Sequence, residues 1–201
     1  MNTGLLTPQI FTPRGFIKKN LLGDMHVLDI GCGKNKLPGA LGMDRISDNN
    51  VDIVHDFSDF PWPFDDDFFD VVLLNSVLEH VPDVLKTMEE IYRISHDRAR
   101  IVIKTPYFRS IDAFTDPTHY HYFTSHSLDY FLEDTELKLY GYSNIRFKKL
   151  GFWYGWPHPS SNFLKQFLKD FVRHHSHFYD QYLSLVLPVK CLFWELGVIK
   201  S

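Results

Sequence analysis

Residues 70–104 read DVVLLNSVLEHVPDVLKTMEEIYRISHDRARIVIK, and the rhythm of apolar positions changes twice along them. Asp70 to Leu74 and Arg100 to Lys104 are short, nearly continuous runs of Val, Ile and Leu. Such runs fit strands covered on both faces, the habit of parallel sheets. Between them, Val81, Val84, Met88, Ile91 and Ile94 recur at helical spacing across Val81 to Ser95, with Pro82 near the start. Strand, helix, strand in that order is a βαβ unit, which predicts an α/β fold with a mostly parallel sheet.

Upstream, Met25 to Ile30, Leu41 to Met43 and Val51 to Val54 read as further short strands. Thr12-Pro13, the apolar run to Leu22 and then Gly23 predict a short N-terminal helix. Downstream, Asn144 to Leu150 and Cys191 to Ile199 read as two more strands, with Trp156-Pro157-His158-Pro159 closing the first. Between these lie Phe163, Leu164, Phe167, Leu168, Phe171 and Val172, one apolar stripe of a helix, with Lys165, Lys169 and Arg173 off it. A stripe of this kind packs on its own domain or offers a contact to a peripheral membrane surface or a partner protein.

Composition narrows the class. The chain has 201 residues, 44% hydrophobic and 23% charged, which describes one domain large enough to need no disulfide or zinc staple. Cys32 and Cys191 are too few for a secreted disulfide framework. The first thirty residues lack a signal-peptide pattern, and Leu183 to Val189 falls far short of the roughly 20 residues that span a bilayer. A cytoplasmic globular protein without a transmembrane segment is the expectation. Between Asp44 and Asp83, ten Asp and one Glu face Arg45 alone, whereas from Glu136 onward nine Lys or Arg face four acids. Nucleic-acid binding draws on a positive stripe, so no nucleic acid is expected at the acidic middle.

The sharpest local signal is Val27-Leu28-Asp29-Ile30-Gly31-Cys32-Gly33, a strand running into Gly-x-Gly. Glycine there permits a tight turn and close approach of a ligand, and in parallel sheets ligands collect at the carboxyl ends of strands. Asp44, Asp56 and Asn75 each follow a further strand, so three polar groups are expected to point into one crevice. A carboxylate at the second strand end suits a ribose diol. Asp44 as a turn acid and Asp56 as a helix cap are the plainer readings. Position 36 is Lys where a nicotinamide fingerprint wants its third glycine, which argues against a reductase.

Asp29-x-Gly31-x-Gly33, Asp44, Asp56, Pro61-Trp62-Pro63-Phe64-Asp65, Phe69-Asp70-Val71-Val72 and Val77-Leu78-Glu79-His80-Val81-Pro82-Asp83 together resemble class I S-adenosylmethionine-dependent methyltransferases, nearest to the small type 11 domains. The resemblance covers about Met25 to Tyr107. It implies a Rossmann-like sheet of seven strands with an antiparallel last strand, and S-adenosylmethionine as cofactor. By this likeness the Asp29–Gly33 turn, Cys32 included, would cradle the methionine part and Asp44, with Arg45 beside it, would hold the ribose. Asp56 would meet the adenine amino group with Phe57 beside the ring, and Asn75 and Ser76 would lie near the methyl donor. Glu79 and His80 would begin the next helix, at the rim between cofactor and acceptor. The domain then divides into an N-terminal helix (1–24), a cofactor-binding half (25–107), an acceptor-side lid (108–130) and a helical insertion (157–188).

One departure stands out. Only eleven positions separate Gly33 from Asp44, where the family commonly fits a helix, and Pro38-Gly39 would break one. A loop or single turn is expected, with Lys34 or Lys36 left to meet the methionine carboxylate.

Methyl transfer from a sulfonium needs alignment above all, and a hydroxyl acceptor also needs a base. Asp112 to Phe123 is dense in aromatic, His and Asp residues. Asp116, His119 and His121 form its polar set, and 119 and 121 share one face if the segment is extended. His80 is a further candidate base. The plainer reading makes these histidines backbone hydrogen bonders in a lid. A His119-x-His121 pair with Asp116 could serve a metal, but no further strong ligand is spaced nearby, so no metal is expected. His174, His175 and His177 read as an exposed helix end. Trp153, Tyr154 and Trp156 could wall a ligand or pack in the core. The expected function is methyl transfer to a small-molecule or sugar-like acceptor. The alternative is a catalytically silent module of the same fold that binds a partner or serves as a scaffold.

Overall fold

The computed structural model describes residues 11–12, 15–16, 24–158 and 160–200. Strand β1 (Phe11–Thr12) pairs antiparallel with β2 (Gly15–Phe16). This corrects the predicted helix at its first turn, where Pro13 and Gly15 carry turn signals as readily as helix signals. The rest of that prediction, residues 17–22, lies outside the described residues.

The main sheet contains β3 (Val27–Ile30), β4 (Leu41–Asp44), β5 (Ile53–Val54), β6 (Phe69–Asn75), β7 (Ser95–Pro106), β8 (Phe147–Tyr154) and β9 (Cys191–Val198). Their spatial order is β5-β4-β3-β6-β7-β9-β8. The pairings from β5 through β7 are parallel, and β9 runs antiparallel to both β7 and β8. Successive side chains alternate between two buried faces. Leu28, Ile30, Val72, Leu74, Ile101 and Ile103 join one apolar cluster, and Val27, Val71, Leu73, Val102 and Phe193 the other. Both faces are covered, so the strand runs are continuous in hydrophobicity rather than alternating.

Helix α1 (Val84–Ile94) follows β6 and buries Thr87, Met88, Glu90, Ile91 and Ile94. It starts three residues later than predicted, because Asp83, in extended backbone, accepts the Lys86 N–H at 3.0 Å and caps it. Pro82 therefore stands outside the helix, and Glu79 and His80 lie in the turn that precedes it. At its far end Arg93 gathers the acidic stretch. Its guanidinium donates to Glu90 Oε1 at 2.5 Å, Asp66 Oδ1 at 2.5 Å, the Phe64 carbonyl at 2.9 Å and the Trp62 carbonyl at 3.1 Å. Glu90, buried, also accepts the Trp62 N–H at 2.6 Å. One cation thus fixes a proline-rich, acid-rich loop to the helix behind it.

Helix α2 (Ile111–Thr115) follows β7, capped by Ser110, whose side chain accepts the Ala113 N–H. Helix α3 (Phe163–His174) joins β8 to β9 through further turns over Ser176–Phe178 and Tyr179–Leu183. Its stripe is split: Val172 is buried, whereas Phe163 is 85% and Phe167 56% exposed, so self-packing accounts for only the C-terminal half. His174, His175 and His177 are exposed. Asp180 roots the segment, accepting from Tyr107 Oη at 2.8 Å, Tyr154 Oη at 2.7 Å, Ser125 Oγ at 2.7 Å and the Ser125 N–H at 3.0 Å. Cys32 and Cys191 are free. No helix among the described residues is long and apolar enough to cross a membrane.

Replacing Arg93 by Met leaves the buried Glu90 carboxylate without its cation. Chemical denaturation is expected to give a loss of about 3 kcal/mol. Arg98→Ala, which removes only an exposed contact to Asp97 at 3.3 Å, should stay within about 0.5 kcal/mol.

Candidate active site

Strand β3 ends at Ile30, and the chain reverses through Gly31, at φ +65°, whose N–H donates to the Met43 carbonyl at 2.8 Å. A Cβ on Gly31 would stand 2.4 Å from Val77 Cγ2, so only glycine fits. A single 3-10 turn, Gly33–Asn35, follows in place of a helix, as the short spacing predicted. Gly33, at φ +46°, donates its N–H to Asp44 Oδ2 at 2.9 Å, and a Cβ there would meet only that oxygen, at 3.9 Å. Its outer side is therefore an open cradle. Asp44 Oδ1 accepts the Ile46 N–H at 3.0 Å. Each carboxylate oxygen has one protein donor and keeps acceptor capacity for a diol.

The short crossover is held from beneath. Asp29, 2% exposed, accepts the Leu37 N–H at 2.7 Å, and burial pushes its carboxyl up to about 6 against the opposing pull of that amide and of Lys36. Lys36 pairs with Asp52 at 2.6 Å, and Asp52 accepts the Gly42 N–H at 2.7 Å. Lys36 is thus engaged in the scaffold, and Lys34 is exposed. Burial, then the Asp29 and Asp44 charges, pushes the Cys32 thiol up to about 11, which keeps it protonated at neutral pH.

Asn75 ends β6 and accepts from Lys104 Nζ at 3.1 Å. Ser76 holds a left-handed φ of +58°, with its N–H on the Lys104 carbonyl at 2.9 Å. Asp29, Gly31, Cys32, Gly33, Asp44, Asn75 and Ser76 therefore meet at the carboxyl ends of three adjacent parallel strands. Asp56 and Phe57 stand past the end of β5, on the outer edge. Asp56 Oδ1 accepts from the Ser58 N–H at 2.9 Å and Oγ at 2.7 Å, bonds that hold its carboxyl below the usual range. Phe57 is half-buried and Arg45 exposed.

The acceptor-side set is brought together differently from the expectation. His119 faces His80, with ring centroids 4.6 Å apart, rather than pairing with His121. The segment is not an extended strand, so the alternation that would align 119 with 121 does not apply. Asp116 reaches His80 through Thr118, which donates its hydroxyl to Asp116 Oδ1 at 2.7 Å and lies 2.9 Å from His80 Nδ1. Since the hydroxyl proton goes to the carboxylate, Thr118 Oγ1 accepts from His80 Nδ1–H. His119 Nδ1 lies 2.8 Å from the Ala113 carbonyl, which can only accept. Both rings therefore carry their proton on Nδ1. Burial, then the neighbouring His119, lowers His80 below its ordinary value. His121 Nε2 is buried without a hydrogen-bond partner among the described residues.

Glu79, placed by the resemblance at the rim beside His80 but given no chemical role, joins this group. It is 1% exposed, its carboxylate oxygens have no hydrogen-bond partner among the described residues, and burial pushes its carboxyl up to about 7. Glu79, His80 and His119 each place a ligand-type atom within 4.8 Å of the other two. An acid inside the apolar run Val77-Leu78-Glu79-His80-Val81 was the available signal. Of the three aromatic residues, Tyr154 is buried, Trp153 is half-buried against the sheet, and Trp156 is 45% exposed at an apolar groove of about 610 Å³ beside α3.

A family model described as a methyltransferase domain matches residues 11–140. No curated protein matches the chain significantly. Among solved structures, a SAM-dependent methyltransferase from Archaeoglobus fulgidus is 17% identical with a TM-score of 0.54, covering 88% of this chain and 87% of its own. An S-adenosylmethionine-dependent methyltransferase from Mesorhizobium loti is 12% identical with a TM-score of 0.53, over 88% and 92%. The [4+2]-cyclase SpnF is 14% identical with a TM-score of 0.51, over 90% and 77%. At these identities the likeness is one of fold.

Asp29 sets a pH dependence. Its folded value lies above its unfolded one, so the buried carboxylate penalises the fold above about pH 6 and the penalty lifts as pH falls toward 4. Asp29→Asn removes the titration. In urea denaturation, the stability of the wild type relative to this variant should rise by about 2 kcal/mol between pH 7.5 and pH 4.

Proposed function

The chain belongs to the methyltransferase-domain family, and from that premise we propose that it methylates a hydroxyl group of a small, sugar-like acceptor. S-adenosylmethionine is the cofactor that this membership indicates. When bound, it supplies a methyl group on a sulfonium, already activated for in-line displacement.

The chain's own residues bind and align. The observation that carries the reading is the Gly33 and Asp44 pair: a glycine whose missing side chain leaves open space, tied to a carboxylate with acceptor capacity to spare. In this reading Asp44 takes the ribose hydroxyls, while Gly31, Cys32 and Gly33 present backbone to the methionine part. Asp56 has its Oδ2 left for the adenine amino group, with Phe57 against the ring. Asn75 and Ser76 flank the sulfur, and Lys104 orients Asn75. His80 and His119 border the acceptor, with Asp116 and Thr118 positioning His80, and His121 is tied to the same rim by its N–H on the Glu79 carbonyl. Alignment of two bound partners is the main catalytic contribution for such a reaction.

A catalytically silent scaffold drew its support from the shortened crossover. That crossover is a built structure, anchored by Asp29, Lys36 and Asp52, which favours a working cofactor site. The exposed Phe163, Leu164 and Phe167 suit a contact to a partner or membrane surface alongside the enzymatic reading. The free thiols of Cys32 and Cys191 suit a reducing, cytoplasmic setting.

Calorimetry with S-adenosylhomocysteine is expected to give one site per chain in the micromolar range. Asp44→Ala should weaken it at least about 100-fold, since it removes the paired hydroxyl contacts. Arg98→Ala should leave it unchanged. Absence of binding to the wild type overturns the reading.

A further inference from the structure

Beside the crevice, two imidazoles and a buried carboxylate converge, each with a ligand-type atom within 4.8 Å of the other two. We propose that Glu79, His80 and His119 bind a divalent first-row transition-metal ion whose remaining coordination positions take hydroxyl oxygens of the acceptor. This deepens the methyl-transfer reading of the adjoining crevice and rests on it for the acceptor's role.

Three independent features carry it. The first is Glu79, 1% exposed with no hydrogen-bond donor on either oxygen among the described residues. A buried carboxylate is kept when it is paired or ligates a metal. The second is the protonation of the two rings. Both Nδ1 atoms donate, His119 to the Ala113 carbonyl and His80 to the Thr118–Asp116 relay, so each Nε2 is left as the lone-pair nitrogen. Metal-bound histidines are held in this way, with the far ring N–H on a carbonyl or a carboxylate-linked partner. The third is the backbone. The N–H groups of Tyr120 and His121 donate to the Glu79 carbonyl at 2.8 and 3.3 Å, which ties the segment carrying His119 to the residue it faces.

Geometry and chemistry agree on the occupant. The ligand atoms lie within 4.8 Å of one another, and an ion held at about 2.1 Å from each needs them roughly 3 to 4 Å apart. The Glu79 carboxylate, which no other described residue holds by a hydrogen bond, is the ligand free to shift and close that gap. Two imidazoles with one carboxylate suit zinc, iron or cobalt better than magnesium, and three ligands leave positions open. An oxygen bound there loses its proton more easily and is fixed at the rim.

The test uses the full chain, stripped with chelator, desalted and titrated with Co²⁺, whose visible absorption reports imidazole coordination. One equivalent should bind, with at least 100-fold weakening in His119→Ala and Glu79→Gln. Thr118→Val should keep the stoichiometry, bind about 10-fold more weakly and shift the visible band, because it frees the His80 ring. The exposed pair His174→Ala/His177→Ala should bind as the wild type does. Calorimetry with S-adenosylhomocysteine on the same samples reports folding and tests the cofactor site separately. Absence of a stoichiometric Co²⁺ site in a wild type that binds S-adenosylhomocysteine overturns the metal proposal alone. Retention of full Co²⁺ affinity in His119→Ala overturns it as well. Co²⁺ bound as described without S-adenosylhomocysteine binding sustains the metal site and overturns the methyl-transfer reading.

Discussion

Ten residues, Gly31 to Ala40, must carry the chain from the end of β3 to the start of its parallel neighbour β4. That distance is too short for the usual crossover helix, and much of the crevice follows from how the constraint is met. The chain turns at once through left-handed glycines and makes one 3-10 turn. It descends past Leu37, whose N–H is taken by a buried carboxylate. A helix N-terminus would have offered its own amides to the cofactor. Here the glycine turn and the Asp44 carboxylate bound to it occupy that position at the strand end. Asp29 is a strained solution in electrostatic terms, an acid kept in the interior to hold an amide. Lys36 and Asp52 close the other side, which makes the loop part of the scaffold rather than a loose cover.

Much of the sheet could be read in advance because its strands obey a local rule. The central ones, buried on both faces, are apolar at consecutive positions, and all seven strands were found, although β7 begins five residues before the run that signalled it. The short crossover and its single turn were equally visible, since Pro38-Gly39 forbids anything longer. The N-terminal segment misled because Thr-Pro followed by apolar residues and a glycine satisfies helix and hairpin rules alike. The start of α1 was displaced because the sequence reading took Pro82 as the start signal, whereas the Asp83 side chain accepts the amide proton that caps the helix.

The acceptor side was only half visible. Asp116, His119 and His80 each stood out as residue types, yet their partners were set by tertiary contact. His119 meets a residue some forty positions earlier, and Asp116 acts on His80 through a threonine that carried no signal of its own. Glu79 lay inside a quoted motif, but nothing in its spacing foretold burial without a donor. Arg93 was hidden for the same reason. It is one base among a helix's polar residues until the fold curls the acidic loop around it.

The convergence of four donors on Asp180 has a consequence for how this protein can change. Asp180 is bound to Tyr107 just past the end of β7, to Tyr154 of β8 and to Ser125, while Phe163, Leu164, Val186 and Leu187 of the same β8–β9 connection stay exposed. Substitutions at those exposed positions therefore leave the Asp180 junction and the sheet intact. The residues that root this connection and those it exposes are thus separate sets, free to change at different tempos.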